Sequence, residues 1–259
     1  MVSSAEFPGE LAAAGLTLVG VGPGNPELLT VAAVRAIGAA EVVAYPVARE
    51  GADGMAARIA APWIGPQQRR LPLLFPMVAG AEPRQAAWHS AAAALAAEVA
   101  AGHAVVLLCE GDASLYASAS YALLALAERH PACPVAVIPG ITAVAAAAAA
   151  ASSQGLPWPL ALQQDALLIR PTPDGAEELA ALLQRACGEG MVLALLKLGH
   201  RWAWVRPLLA ERGLLAASLF AQRVGWPDQL LAPAAEVPAD EQPYFSLLLI
   251  RQSWPAVLP

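Results

Sequence analysis

A chain of 259 residues is long enough for one large or two smaller α/β domains with cores of their own. Its net charge of −6 speaks against general nucleic-acid binding, while leaving room for an anionic small molecule held by a local group of arginines. Although 58% of the residues are hydrophobic and only 14% charged, much of that apolarity is alanine, and no run approaches the ~20 strongly apolar residues of a membrane span. The opening MVSSAEFPGE has no basic cluster ahead of an apolar stretch, so it does not read as a secretory signal, and residues 1–14 read as a lead-in. The three cysteines, Cys109, Cys133 and Cys187, are far apart and lack a C-x-x-C pair. That argues against a disulfide framework or a zinc site and predicts buried, inert thiols. Together these features point to a cytoplasmic protein that carries no metal of its own.

Leu16 to Val21 is a short apolar run with β-branched residues and predicts a buried strand. Gly20-Val21-Gly22-Pro23-Gly24-Asn25-Pro26 breaks it. Thr30 is placed to cap a helix through Gly38, and Val42 to Tyr45 predicts a second strand closed by Pro46. Strand, helix and strand in about thirty residues make a βαβ unit and hence a parallel sheet, whose ligands sit at the carboxyl ends of its strands. From Arg49 to Pro83 prolines and arginines separate short apolar pieces, with a short helix at Ala56–Ala61 and a strand at Leu71–Phe75. A long punctuated connection of this kind often walls a substrate site. Gln85–Ala101 reads as a helix stopped by Gly102, and AVVLLC, Ala104–Cys109, as a buried strand. Glu110-Gly111-Asp112 follows directly, with Ser114 placed to cap the next helix. Val135–Ile138 is a further strand, ending at Pro139-Gly140-Ile141-Thr142 before a helix of small residues. Three strands thus end in glycine turns, and parallel strands would gather those turns along one rim.

Ser152 to Leu160, SSQGLPWPL, reads as a linker. The division expected is an N-terminal α/β domain over 1–152, a linker over 153–160 and a C-terminal α/β domain over 161–259. The second half predicts strands at Ala166–Arg170 and Met191–Lys197, with helices at Ala176–Cys187 and Arg201–Arg212. Three strand candidates then follow without long helices: Ser218–Val224, Leu230–Val237 and Tyr244–Arg251. Consecutive strands imply antiparallel pairing, so this sheet is expected to be mixed.

The first glycine loop by itself has several readings. A dinucleotide fingerprint, G-x-G-x-x-G, fits Gly20 and Gly22, but Asn25 stands at the third position and Pro23 and Pro26 remove donors that a pyrophosphate needs. A phosphate-binding P-loop would need a Gly-Lys-Ser/Thr that is not there. A tight turn without ligand is the bland alternative.

The motifs taken together are more specific. VGVGPGNPELLTVAAVRAI, CEGDASLYASASY and VIPGITAV resemble the tetrapyrrole methyltransferases. LFPM at Leu74–Met77 with Trp88 after it, GDASLYAS, KLGH at Lys197–His200 and PYFSLLLIR are similar to the C-20 methyltransferases of cobalamin biosynthesis. The resemblance runs from about residue 16 to residue 252. It departs at Ala113, where proline is common, at Asn25, where an acidic residue is usual, and after Pro159, where the family's Gly-Asp/Glu pair is absent.

The resemblance implies two αβα domains with S-adenosylmethionine (SAM) in the cleft between them, and a reduced tetrapyrrole with many carboxylates as substrate. Gly22, Pro23 and Gly24 would shape the cleft, with Pro26 on the substrate side. Glu110, Gly111, Asp112 and Leu115 would hold the methionine part, beside Tyr116, Thr142 and Ala143. Lys197, Leu198, Val224, Gly225, Tyr244, Phe245 and Ser246 would line the adenosine. The carboxylates call for arginine, whose planar fork suits them. Arg49, Arg69, Arg70 and Arg84 lie in the punctuated stretch with Phe75 and Met77. Methyl transfer from a sulfonium is an in-line displacement needing orientation and desolvation more than acid or base, so catalytic side chains are few. Asp112 and Tyr116 are the candidates. Tyr116 also reads as a core aromatic, and Glu110 and Asp112 as plain turn carboxylates. Cys109 has no histidine near it in sequence and no covalent intermediate to form. Trp202 and Trp204 stand two apart and cannot share a helix face, so one of them should pack in a core or a dimer interface. The family likeness also implies a homodimer. A methylase of different regiochemistry, a SAM-binding module without turnover and a nicotinamide enzyme are the rivals. The last would want an acidic residue at the end of the second strand, where Ala44-Tyr45-Pro46 stands instead.

Overall fold

The computed structural model describes residues 15–78 and 80–255, so the lead-in expected at 1–14 lies outside the described residues. The chain divides into two compact units between Thr142 and Ala143.

The first unit holds a five-stranded sheet in the order β3-β2-β4-β1-β5. Its strands are β1 (Gly15–Gly20), β2 (Val42–Val47), β3 (Arg69–Leu74), β4 (Ala104–Cys109) and β5 (Val135–Ile138), and every neighbouring pair is parallel. Central β1 and β4 bury both faces, as their unbroken apolar sequences require. Leu16, Leu18, Val105, Leu107 and Cys109 pack with Ala91, Ala92 and Leu95 of α3 (Ala81–Ala100) and with Ala119, Ala122 and Leu126 of α4 (Ala119–Arg129). Each fully buried Leu or Val contributes about 1.5–3 kcal/mol. α1 (Val31–Ala39) lies against β1 and buries Ala33, Ala36 and Ile37. Thr30 caps it as expected, its hydroxyl accepting from the Ala33 N–H at 3.1 Å. The buried Gln68 closes the other end, its amide donating to the Ile37 and Ala40 carbonyls at 2.5 and 2.6 Å.

Several elements differ from the sequence expectation. β2 does not stop at Pro46 but runs on to Val47. Only Val42–Ala44 pair with β4, so by Pro46 the strand keeps the β3 ladder alone and a missing N–H is tolerated. β3 begins at Arg69 rather than Leu71, and as an edge strand it accommodates Pro72. The helix expected from Ser114 starts only at Ala119, because the side chain of Ser114 is bound to Asp112 instead. β5, at the other edge, leaves Val135 and Val137 exposed. Of the thiols only Cys109 is buried, while Cys133 is partly buried and Cys187 exposed.

The second unit begins with α5 (Ala143–Ser153), which packs on β9 (Leu230–Pro233). Its mixed sheet has the order β6-β7-β10-β8-β9, with β6 (Ala166–Pro171) parallel to β7 (Met191–Leu196) and the other neighbours antiparallel. β8 (Ser218–Gln222), β9 and β10 (Ser246–Ile250) are all shorter than expected, β9 giving way to a 3-10 turn at Ala234–Glu236. α6 (Ala176–Gly188) and α7 (Trp202–Glu211) complete the unit. Trp202 is the core tryptophan, fully buried against Phe220 with its indole N–H donating to the Pro238 carbonyl at 2.8 Å.

Candidate functional site

The parallel order β4-β1-β5 sets the carboxyl ends of three strands side by side, and the turns that follow them are knitted together. The Val21 N–H donates to the Cys109 carbonyl at 2.9 Å. Gly22 and Gly111 then exchange both backbone hydrogen bonds, at 3.1 and 2.8 Å, in a short antiparallel bridge. The third turn closes on this bridge. A Cβ on Gly140 would stand 2.1 Å from the Gly111 carbonyl oxygen, and one on Gly20 would stand 2.6 Å from the Gly140 nitrogen. Backbone contact therefore dictates glycine at 20 and 140. Gly111 is different. Its φ is +67°, and a Cβ there would meet nothing within 4 Å. It presents bare main chain to open space, the cradle a ligand needs for close approach.

The two carboxylates beside Gly111 are set up oppositely. Asp112 is buried and spent on the protein: Oδ1 accepts from the Ser114 N–H at 2.8 Å and from the Ser114 hydroxyl, and Oδ2 from the Gly140 N–H at 2.8 Å. Burial works against its ionisation, yet the hydrogen bonds from Ser114, Gly140 and Ala113 prevail and hold the carboxyl below its ordinary value. Asp112 thus pins the second turn to the third. Glu110 is partly buried and accepts from the Ala56 N–H, at the start of α2 (Met55–Ile59), at 3.2 Å. Burial pushes its carboxyl up. Burial, with the charges of Glu110 and Asp112, pushes the Cys109 thiol up to about 12, so it stays protonated and is no nucleophile. Tyr116 is not a core aromatic. It is 48% exposed and holds a φ of +54°, a backbone shape that non-glycine residues adopt at a cost and that clusters at functional sites. Leu115 sits in the same turn, and Thr142 and Ala143 follow Gly140 into α5.

The residues expected to meet the substrate are divided by the sheet. Arg49 is exposed just past the carboxyl end of β2, and Phe75, Met77 and Arg84 follow the carboxyl end of β3. The Phe75 side chain, however, is in the core, while Met77 is 78% exposed. Arg69 and Arg70 open β3, level with Val42 of β2, and so stand at the opposite end of the sheet from the glycine turns. Arg69 pairs there with Glu98, which His103 also approaches at 2.9 Å. Gly24 is buried in the first turn, beside Pro23. Pro26 opens a short 3-10 turn, its carbonyl accepting from the Trp63 indole at 3.4 Å. Asn25 accepts from the Glu27 N–H at 2.9 Å, a job its amide oxygen does as well as the acidic residue usual in the motif it resembles.

In the second unit the loops after β7 and β8 and before β10 are joined in the same way. The Leu198 N–H donates to the Ser246 carbonyl at 3.0 Å, and the Gly199 N–H to the Ser246 hydroxyl at 3.0 Å. The Arg223 N–H donates to the Phe245 carbonyl at 2.8 Å. Lys197 has a φ of +57° and Arg223 one of +47°. Arg223 is not marked by any motif. Its backbone angle distinguishes it, and its guanidinium binds Asp228 at 2.7 Å and stacks over Trp226. Leu198 and Val224 are buried, so they can offer a ligand only main chain. Gly225 holds Gln229 through its N–H at 2.7 Å. Tyr244 and Phe245 are about half exposed and meet edge to face, with ring centroids 5.3 Å apart.

In the first unit the bare main chain at Gly111 leaves room for a ligand, and in the second unit Tyr244 and Phe245 expose their rings. Among the described residues, no group of three or more His, Cys, Asp or Glu is placed to hold a metal ion, and no helix is long and apolar enough to cross a membrane.

The family model of the tetrapyrrole (corrin/porphyrin) methylases matches residues 15–237. A cobalt-precorrin-2 C(20)-methyltransferase of Salmonella typhimurium is 33% identical over 92% of this chain and 97% of its own. A precorrin-2 C(20)-methyltransferase of a Sinorhizobium species is 35% identical over 90% of this chain and 93% of its own. The fold matches the crystal structure of the methyltransferase CobJ with a TM-score of 0.66 at 23% identity, over 92% of this chain and 94% of that one. It also matches uroporphyrin-III C-methyltransferase of Thermus thermophilus, complexed with S-adenosylhomocysteine, with a TM-score of 0.59 at 23% identity, over 92% and 98%. The chain belongs to the tetrapyrrole methylase family and is a SAM-dependent tetrapyrrole methyltransferase.

Proposed function

We propose that this protein transfers the methyl group of SAM to C-20 of precorrin-2, giving precorrin-3A in cobalamin biosynthesis. The observation that carries the cofactor half of this reading is the Gly111 turn, bridged to Gly22 and open where a side chain would stand. SAM supplies an electrophilic methyl on a sulfonium. The main chain from Glu110 to Leu115, with Gly22–Gly24 and the turn at Thr142–Ala143, would hold its methionine part. Lys197, Leu198, Val224, Gly225 and Tyr244–Ser246 would line the adenosine. Arg49 and Arg84, at the carboxyl ends of β2 and β3, would meet the substrate's carboxylates, with Pro26 and Met77 beside them. The work is positioning, since a displacement that destroys charge gains most from orientation and exclusion of water. The active form is proposed to be a twofold homodimer.

The C-20 assignment rests on the two C(20)-methyltransferases, which lie at nearly equal identity. Their names differ in the metal, so the cobalt-containing substrate is the second reading. The test is to supply SAM with either precorrin-2 or cobalt-precorrin-2 and to follow SAH release with the mass gain of one methyl. A higher kcat/KM for the metal-free substrate supports the first reading, and the reverse order supports the second. No methyl gain on either removes both.

A further inference from the structure

Methylating a ring carbon that bears hydrogen leaves a proton to dispose of. In the attack, a π pair of the tetrapyrrole forms the new carbon–methyl bond and the sulfur–methyl pair returns to sulfur. The carbon now carries both hydrogen and methyl. Its C–H pair must then go back into the conjugated system while the proton leaves to a base.

We propose that Glu110 is that base. The inference rests on the C-methylation reading above. Geometry selects Glu110 among the carboxyl and thiol groups at the glycine turns. Asp112 has both oxygens taken by Ser114 and Gly140, and its loss as an acceptor would part the second turn from the third. Cys109 remains a buried thiol. His103 precedes β4 and His130 follows α4, so both stand at the other end of the sheet. Glu110 lies between Cys109, whose carbonyl receives the Val21 N–H, and Gly111, which bridges to Gly22. It is therefore held at the crossing of the first two turns, next to the open face of Gly111. One oxygen takes a long hydrogen bond from Ala56, which fixes the carboxylate without using up its acceptor capacity.

The two carboxyls have been pushed apart in acidity, Asp112 down and Glu110 up, the pattern by which one stays an ionised structural group and the other exchanges protons. The ionisable groups on the elements around Glu110 are Cys109, Asp112 and Tyr116 on its own segment, Tyr45 near the end of β2, Arg49, Glu50 and Asp53 in the loop that follows, and Arg58 on α2. Arg49, Asp53 and Arg58 are exposed, and burial rather than any of these charges sets the Glu110 shift.

The test is Glu110→Gln, whose amide oxygen can still accept from Ala56. Three readouts are taken: SAM affinity by calorimetry, kcat against pH, and the product made by the parent. Expected are unchanged SAM affinity, a kcat lower by about 10²–10⁴, and loss of the acid limb, along which parent activity rises with pH as the carboxyl ionises. A kcat within threefold of the parent, or an unaltered acid limb, overturns the proposal. So does a tenfold loss of SAM affinity with the limb retained, which would make the side chain a cofactor ligand. The functional reading fails separately. If the parent methylates a carbon other than C-20, the site assignment is wrong, but the Glu110 comparison stands on that product. If the parent methylates no tetrapyrrole, both fall.

Discussion

Replacing Gly140 with alanine would place a methyl carbon 2.1 Å from the Gly111 carbonyl oxygen and 2.8–2.9 Å from the carbonyl carbon and Cα of Gly20. All three are backbone atoms of neighbouring turns, and no side chain can swing aside. Ordinary contact needs about 3.4 Å or more, so the turns must separate by over an ångström. Overpacking typically costs about 1–3 kcal/mol and occasionally more, and a backbone-on-backbone clash belongs at the upper end. At about 2–4 °C per kcal/mol for a chain of this size, Gly140→Ala should melt roughly 6–12 °C below the parent. Gly111→Ala, in the adjoining turn, meets open space. Its cost is the left-handed conformation, about 1–2 kcal/mol, partly offset by about 0.4–1 kcal/mol from the less flexible unfolded chain. Its melting temperature should fall by only a few degrees, while SAM affinity falls at least tenfold, a loss of about 1.4 kcal/mol. Thermal melting of the apo proteins and calorimetric titration with SAM read both quantities. Normal melting of Gly140→Ala would refute the close approach of the turns. SAM binding at parent strength by Gly111→Ala would refute the cradle.

Asp112→Asn should lower the melting temperature at neutral pH by the equivalent of about 1.5–3 kcal/mol, since a charge-assisted acceptor between two turns is lost. Because the folded state holds the Asp112 carboxyl below its ordinary value, its contribution is full above the ordinary aspartate range and disappears as pH falls through the depressed folded value. The gap between parent and variant should therefore narrow on acidification, and a gap independent of pH would contradict the assignment. Alanine at Arg49 or Arg84 should raise the KM for the tetrapyrrole several-fold, and alanine at Arg69 or Arg70 should leave it unchanged. An effect confined to the second pair would place the substrate at the wrong end of the sheet. SAM and S-adenosylhomocysteine should each stabilise the fold by about 2.7 kcal/mol at a hundredfold excess over Kd and so raise the melting temperature, whereas NAD should not; the reverse would reinstate a nicotinamide site. Light scattering should give twice the chain mass of 26.6 kDa, and a monomer at micromolar concentration would remove the proposed dimer.

The parallel half of the fold was legible because its signals are local. AVVLLC and the run after Gly15 are short apolar runs bounded by glycine turns, the pattern of strands buried on both faces, and their glycine endings announce a rim. What stayed hidden depends on partners distant in sequence. Ser114 looks like a helix cap until Asp112 claims it, and the contact of Asp112 with Gly140 spans 28 residues. Arg69 and Arg70 stand in the punctuated stretch expected to wall the substrate site, but a strand starting at Arg69 carries them to the far end of the sheet. The strained backbones of Tyr116, Lys197 and Arg223 leave no compositional trace, since none is glycine or asparagine. Gly20, Gly111 and Gly140 look alike in sequence, yet two are dictated by backbone contact and the third by open space.

The measurement that bears most directly on the central claim is incubation of the protein with precorrin-2 and SAM carrying a ¹³C-labelled methyl, followed by NMR of the product. A single new methyl resonance correlated to C-20 is the result expected. A label at any other ring carbon, or none incorporated while SAM is bound, would contradict it.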